Sequence, residues 1–80
     1  MTINMKWYTV EYPNRNGCLW NEFETVEAAK AERAEVNKRE QFGGYPVVPY
    51  IIIGHELTKV YDDNGQFVES TKREWKVKED

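Results

Sequence analysis

Nucleophilic catalysis needs a nucleophile, a base within reach and a third group that orients the base. The chain has one histidine, His55, one cysteine, Cys18, and one serine, Ser70. Cys18 falls beside a predicted turn, and His55 falls mid-strand about half the chain away. The pair reads as an inert small residue and a partly buried histidine, so no catalytic residues are assigned and no enzyme is expected. A zinc site takes about four Cys or His ligands, or three plus water, and two at unrelated positions make none. Asp62-Asp63-Asn64-Gly65 lacks the alternating ligands and closing glutamate of a calcium loop, and a hairpin turn accounts for it. Glu11 and Glu22 could form a carboxylate pair with one raised pKa. General acid–base work also needs a pocket, which one helix over a small sheet rarely leaves. The glycines, at 17, 43, 44, 54 and 65, form no phosphate-cradling loop. No metal or cofactor is expected.

Charge argues against nucleic acid as the main partner. The net charge is -3, from 14 acidic and 11 basic residues interspersed along the chain. A domain that lives on phosphate contacts normally has a basic excess. The best stretch for such contacts is Lys72, Arg73, Trp75, Lys76 and Lys78, with an aromatic among cations that could stack on a base. Glu74, Glu79 and Asp80 interrupt it, and Trp75 falls on a strand face assigned to the core. Weak nucleic-acid binding through this segment is the second functional reading.

Eighty residues form one domain, residues 1–80, with no linker or repeat. Apolar residues make up 40% and aromatics 14%, enough for a packed core built from a few large side chains. A lone cysteine forms no intramolecular disulfide, Met1 to Lys6 has no export-signal pattern, and the prolines in Tyr45 to Ile53 rule out a membrane span. The expected compartment is the cytoplasm.

The elements that must position these residues are two hairpins and a helix. Met5 to Tyr12 and Leu19 to Phe23 read as strands around Asn16-Gly17. A two-residue turn there sets Val10 opposite Phe23 and, less favourably, Glu11 opposite Glu22. Val26 to about Glu40 reads as a helix, N-capped by Thr25 and ended by Gly43-Gly44. Its inward stripe is Val26, Ala29 and Val36, with the Arg33 stem along the core edge and the guanidinium outward. Tyr50 to Tyr61 and Gln66 to Val77 read as a second hairpin. A three-residue loop with Gly65 left-handed pairs Tyr61 with Phe67, Val60 with Val68, Lys59 with Glu69 and Glu56 with Lys72. That is preferred over a two-residue turn, which sets Val60 against Glu69. One face then carries Ile51, Ile53, Leu57, Tyr61, Phe67, Trp75 and Val77, with Ile52 pointing away. The fold class is α+β: an antiparallel sheet in ββαββ order with one helix packed on one face.

In the first hairpin, Tyr8, Val10, Tyr12, Leu19 and Phe23 share one face. Trp7, Thr9, Glu11, Trp20 and Glu22 share the other. A solvated face normally carries Thr, Lys and Glu, and two tryptophans there need an explanation. Tryptophans dominate binding energy when a polar surround excludes water. These five residues are therefore the candidate partner-binding site, for a protein of unknown identity. The alternative is that a homodimer, the second hairpin or the chain ends cover this face, or that another register turns it inward.

The order hairpin, Phe-x-Thr-x-Glu-Ala-Ala helix start (Phe23 to Ala29), then a hairpin closing on Asp-Asn-Gly resembles short phage and mobile-element proteins of ββαββ type. It matches no specific family. The resemblance implies a small non-enzymatic binder that blocks or redirects a host protein, such as an inhibitor of a bacterial defence system. A phage-encoded chain of this kind would act in the host cytoplasm.

Overall fold

Thr2–Glu11 forms strand β1, Val26–Phe42 helix α1, Ile51–Tyr61 strand β2 and Phe67–Lys76 strand β3. The computed structural model describes residues 1–15, 17–19 and 21–79. The strands make one antiparallel sheet in the order β1-β2-β3. The α+β class holds, but the element order is β-α-β-β rather than two hairpins about a helix.

The correction lies in the first hairpin. β1 gives one side to a ten-residue ladder with β2, from Thr2↔Val60 to Glu11↔Ile51. The returning chain meets its other side only at isolated bridges, Glu11↔Cys18 and Tyr8↔Phe23. The chain reverses at Pro13-Asn14, where the Arg15 amide donates to the Tyr12 carbonyl at 2.8 Å. Proline suits the second position of such a turn because its ring presets φ. Phe23 therefore meets Tyr8 and not Val10, and Glu11 meets Cys18 and not Glu22. Asn16 of the expected turn lies outside the described residues.

The second hairpin closes as expected, with Gly65 left-handed at φ 77°. The Asp62 carboxylate accepts the Asn64 and Gln66 amides, both at 2.9 Å. The preferred register survives only at Tyr61↔Phe67. A bulge then shifts the ladder to Val60↔Glu69, Glu56↔Arg73, His55↔Glu74 and Gly54↔Trp75. The last pair supplies a physical reason. A Cβ on Gly54 would lie 2.3 Å from the Trp75 ring, so only glycine admits the indole there. The preferred register would have set Trp75 across from Ile53.

This shift re-sorts the faces. Directly paired residues share a face, so Val10, Ile52 and Val77 lie on the helix side. Ile51, Ile53 and Leu57 lie on the other. The core gathers Val10, Ala29, Tyr50 and Ile52, with Tyr8, Leu19, Phe23, Val26, Val36 and Val48 packed round them. Thr25 Oγ1 caps the helix by accepting the Ala28 amide at 3.1 Å. The helix ends two residues beyond Glu40, where Gly44 (φ 86°) lets the Tyr45 amide reach the Glu40 carbonyl at 2.8 Å. Arg33 does not turn out to solvent. It donates to the Tyr50 carbonyl at 3.1 Å and grips both Glu79 oxygens, one at 2.7 Å.

The core occupies only one end of the sheet. The helix packs on β1 and β2 near Tyr8–Val10 and Ile52, and β3 lies beyond its reach. Residues 1–6, 56–61 and 67–73 continue past it as a bare three-stranded arm. The molecule measures 57 × 24 × 20 Å, and its radius of gyration is 16.3 Å, against about 12 Å for a compact chain of this length.

Candidate functional site

The helix-free face holds two different neighbourhoods. At the covered end, β1, β2 and β3 bring Thr9, Ile53, His55 and Glu74 together, and the turn after β1 adds Arg15. Ile53, Thr9, Glu11 and His55 are all buried. The Thr9 hydroxyl donates to Glu11 Oε2 at 3.0 Å and lies 2.8 Å from His55 Nε2. Arg15 bridges two carboxylates, Nε to Glu11 Oε1 and Nη2 to Glu74 Oε2, both at 3.0 Å. The Trp7 ring stacks on the His55 imidazole, 5.2 Å between centroids and 4° from parallel.

Threonine, histidine and carboxylate in a row resemble a nucleophile–base–orienter set, but the proton count gives another role. A hydroxyl has one proton, and Thr9 gives its own to Glu11. It must then accept from His55, so Nε2 carries hydrogen and cannot serve as a base toward Thr9. His55 Nδ1 is buried without a hydrogen-bond partner, 3.4 Å from Glu74 Oε1. Surface hollows lie away from it, lined by Tyr12, Glu40, Tyr45 and Tyr50 and by Ile51 and Lys76–Glu79.

The cluster is a polar lock that ties the turn to all three strands. It also holds Arg15 at φ 61°, a left-handed conformation that costs a non-glycine residue about 1–3 kcal/mol. Arg15 holds the Glu74 carboxyl below its usual range, chiefly by hydrogen bonding and against partial desolvation, and the Lys72 charge adds to this.

Along the bare arm the two faces differ. One carries Thr2, Asn4, Lys6, Glu56, Thr58, Val60, Glu69, Thr71 and Arg73, which is polar apart from Val60. There Glu56 takes Lys6 at 3.6 Å, Arg73 at 2.9 Å and the Asn4 amide at 3.1 Å. These contacts, the Asn4 bond foremost, hold its carboxyl below the usual range. The opposite face carries Ile3, Met5, Leu57, Tyr61 and Phe67 and runs on to Trp7. Ile3 is 38% exposed, Met5 43% and Phe67 58%. Lys59, Lys72 and Lys76 share that face.

Of the residues predicted to bind a partner, Trp7, Thr9 and Glu11 do share a face, but Thr9 and Glu11 are buried in the lock rather than forming a wet rim. Glu22 is exposed, and Trp20 lies outside the described residues. The residues of the nucleic-acid reading divide between faces. Arg73 and Trp75 lie on the helix side, with Arg73 5.1 Å over the half-buried Trp75 ring. Lys72 and Lys76 lie on the other, and Lys78 follows the strand. No hydrogen bond or ion pair joins Cys18, which is exposed, to His55. Sequence reasoning missed Ile3, Met5, Leu57 and Tyr61 as one surface. Their alternation over Thr2–Trp7 and Leu57–Tyr61 is visible, but β1 had been paired with the wrong strand.

No helix among the described residues is long and apolar enough to cross a membrane. No protein-family model, no curated protein and no solved structure matches the chain.

Proposed function

We propose that the chain is a non-enzymatic protein-binding module whose docking surface is the strip Ile3, Met5, Trp7, Leu57, Tyr61 and Phe67. One observation carries this reading: the arm is bare on both faces, yet only one is apolar. Solvent alone would select similar side chains on both. The lysines beside the strip, Lys59, Lys72 and Lys76, specify the partner's chemistry as an apolar protein patch with an acidic rim. The strip thus extends the expected Trp7 face away from the helix and replaces Thr9 and Glu11 with apolar neighbours. On the finer reading, the module is an inhibitor or accessory factor that covers a site on a host protein.

Met5→Glu places a charge at the centre of the strip, and Thr2→Glu places one on the exposed polar face of the same strand. The expected result is that Met5→Glu abolishes capture of a partner that wild type and Thr2→Glu both retain, with all three unfolding at similar temperatures. Equal capture by all three would refute this surface. Nucleic-acid binding has less support, because its candidate stacking residue, Trp75, is packed against Gly54 and Tyr8 on the helix side. Submicromolar oligonucleotide binding that falls steeply with salt would reverse that order.

A further inference from the structure

Among the described residues the outer edge of β3 is open along its whole length, whereas that of β1 is open only along the arm. At its covered end β1 is closed by the returning chain, where Tyr8 and Phe23 exchange amide bonds of 2.8 and 2.9 Å and Leu19 donates to the Val10 carbonyl at 2.8 Å. No described segment pairs with the outer side of β3. The ladder phase identifies which groups are left open. The Val77 amide donates to the Ile52 carbonyl at 2.9 Å. On the same register, Trp75, Arg73, Thr71 and Glu69 direct their amides at β2. Ser70, Lys72, Glu74 and Lys76 direct theirs outward.

Natural edge strands are blunted by shortness, proline or mid-strand bulges. β3 is 10 residues long, against a usual five or six or so. It has no proline, and its one bulge lies beside the turn. Only its charges could deter pairing, and their order turns them into a matching code.

We propose that β3 pairs antiparallel with the β3 of a second copy of this chain, about a two-fold axis through Thr71, to form one continuous six-stranded sheet. Outward-facing groups meet only when Ser70, Lys72, Glu74 and Lys76 pair among themselves, which restricts the register to steps of two. With Thr71 on the axis, Ser70 exchanges amide bonds with Lys72 of the second copy. Thr71 then meets Thr71, and Glu69 meets Arg73 on both sides of the axis. With Lys72 on the axis, that lysine faces itself. With Arg73 there, the arginine faces itself. With Ser70 there, no charges pair. With Trp75 there, Glu74 meets Lys76, but only residues 74–76 of the strand overlap and Lys72 opposes Lys78 beyond it. Of these registers the Thr71 one alone joins opposite charges and opposes no like ones.

Arg73 is already held near Glu56 at 2.9 Å, and a guanidinium has five donors, so it can take a second carboxylate. The closed two-fold arrangement also uses up both β3 edges, so it does not extend into a filament. Both helices then lie on one side of the sheet and both apolar strips on the other. The pairing does not depend on the strip having a partner, because Glu69, Thr71 and Arg73 lie on the opposite face.

The test is sedimentation equilibrium on the full chain with the charge variants Glu69→Arg and Arg73→Glu. Wild type should be a reversible dimer. Each variant alone sets like charges against each other twice and should weaken the dimer about tenfold or more. Mixed in equal amounts, the two variants should form a heterodimer of near wild-type affinity. The arginine introduced at position 69 then meets the glutamate introduced at position 73, and across the axis the unchanged Arg73 of one variant meets the unchanged Glu69 of the other. A general loss of folding would not be rescued by mixing. Lys72→Pro removes an outward amide without touching the β2 ladder and should give a folded monomer. If Arg73→Glu fails to fold for want of its Glu56 contact, Glu69→Arg and Lys72→Pro decide the matter. A monomeric wild type at all concentrations, undiminished dimers in those two variants, or no rescue on mixing folded variants would each overturn the proposal.

Discussion

The two ends of the sheet are built from the same three strands and obey different rules. At the covered end, Val10 and Ile52 face each other beneath Ala29 of the helix, and even the face away from the helix is closed, by the Thr9, Glu11, His55 and Arg15 lock. At the bare end neither face is covered, and the ladder holds with help from Glu56, Lys6, Asn4 and Arg73. Stability is thus concentrated at the first end, and the second is free to carry an apolar surface that the fold does not need. The comparison teaches that strand length is no measure of core: Thr2–Lys6 pairs as fully as Tyr8–Glu11 but buries little.

The sharpest way to break this division is to truncate one residue of β2 at each end. Ile52 is fully buried, and Ile52→Ala should cost about 2–5 kcal/mol, the range for a large aliphatic lost from a core. Leu57, only half-buried on the open face, should cost under about 1 kcal/mol as Leu57→Ala. Chemical denaturation of the two variants decides. Equal losses would mean that the arm is as integral to folding as the core, and that the apolar strip serves stability.

A smaller effect separates the lock from the helix-side core. Arg15→Ala removes both guanidinium contacts and leaves the buried Glu11 carboxylate with the Thr9 hydroxyl as its donor and His55 Nε2 3.9 Å away. An uncompensated buried acceptor costs about 1–3 kcal/mol, more when charged, while alanine in place of arginine keeps the strained left-handed φ. The denaturation midpoint should therefore fall, by less than for Ile52→Ala, with the stacked Trp7 fluorescence shifted as the turn loosens. An unchanged denaturation midpoint would show that the lock holds without Arg15.

How much of this was legible in the sequence follows the range of the contacts. The Thr25 cap, the Gly43-Gly44 stop and the Asp62 to Gly65 turn are local and could be read directly. The division of Tyr8 and Val10 from Trp7, Thr9 and Glu11 follows from strand alternation alone and also held. What failed was pairing over distance. β1 was given to its nearest neighbour in sequence, although its ladder partner lies some fifty residues on, across the helix. Charge matching then chose the wrong register for β2 and β3, because a bulge near Val68 shifts everything beyond it. The signal that could have corrected this was Gly54 alone among large residues, since only a glycine leaves room across the strand for Trp75. The lock was hidden for the same reason: its members come from β1, the following turn, β2 and β3.

The smallest effect is acid sensitivity, and it too should divide by end. Arg33 holds the Glu79 carboxyl below its ordinary value of 4.5, chiefly by hydrogen bonding. Asn4, then Arg73 and Lys6, do the same for Glu56. A carboxyl with a depressed folded pKa favours the folded chain while ionised. Its contribution is complete above the unfolded value and is lost as pH falls through the folded one. The unfolding temperature should therefore be insensitive to these groups near neutrality and fall below about pH 4.5. The two contributions should not be equal. The Arg33 guanidinium is half-buried, bonds Glu79 through two nitrogens and also bonds the Tyr50 carbonyl, so it joins the end of the chain to the core. Arg73 is largely exposed, and exposed pairs contribute little and less still in salt. Glu79→Gln should thus flatten the acid limb of the stability profile more than Glu56→Gln, and 0.5 M salt should, as an order-of-magnitude choice of screening strength, erase the Glu56 difference first. A larger effect from Glu56→Gln would place the acid-sensitive contacts in the arm and reverse the assignment of the stable end.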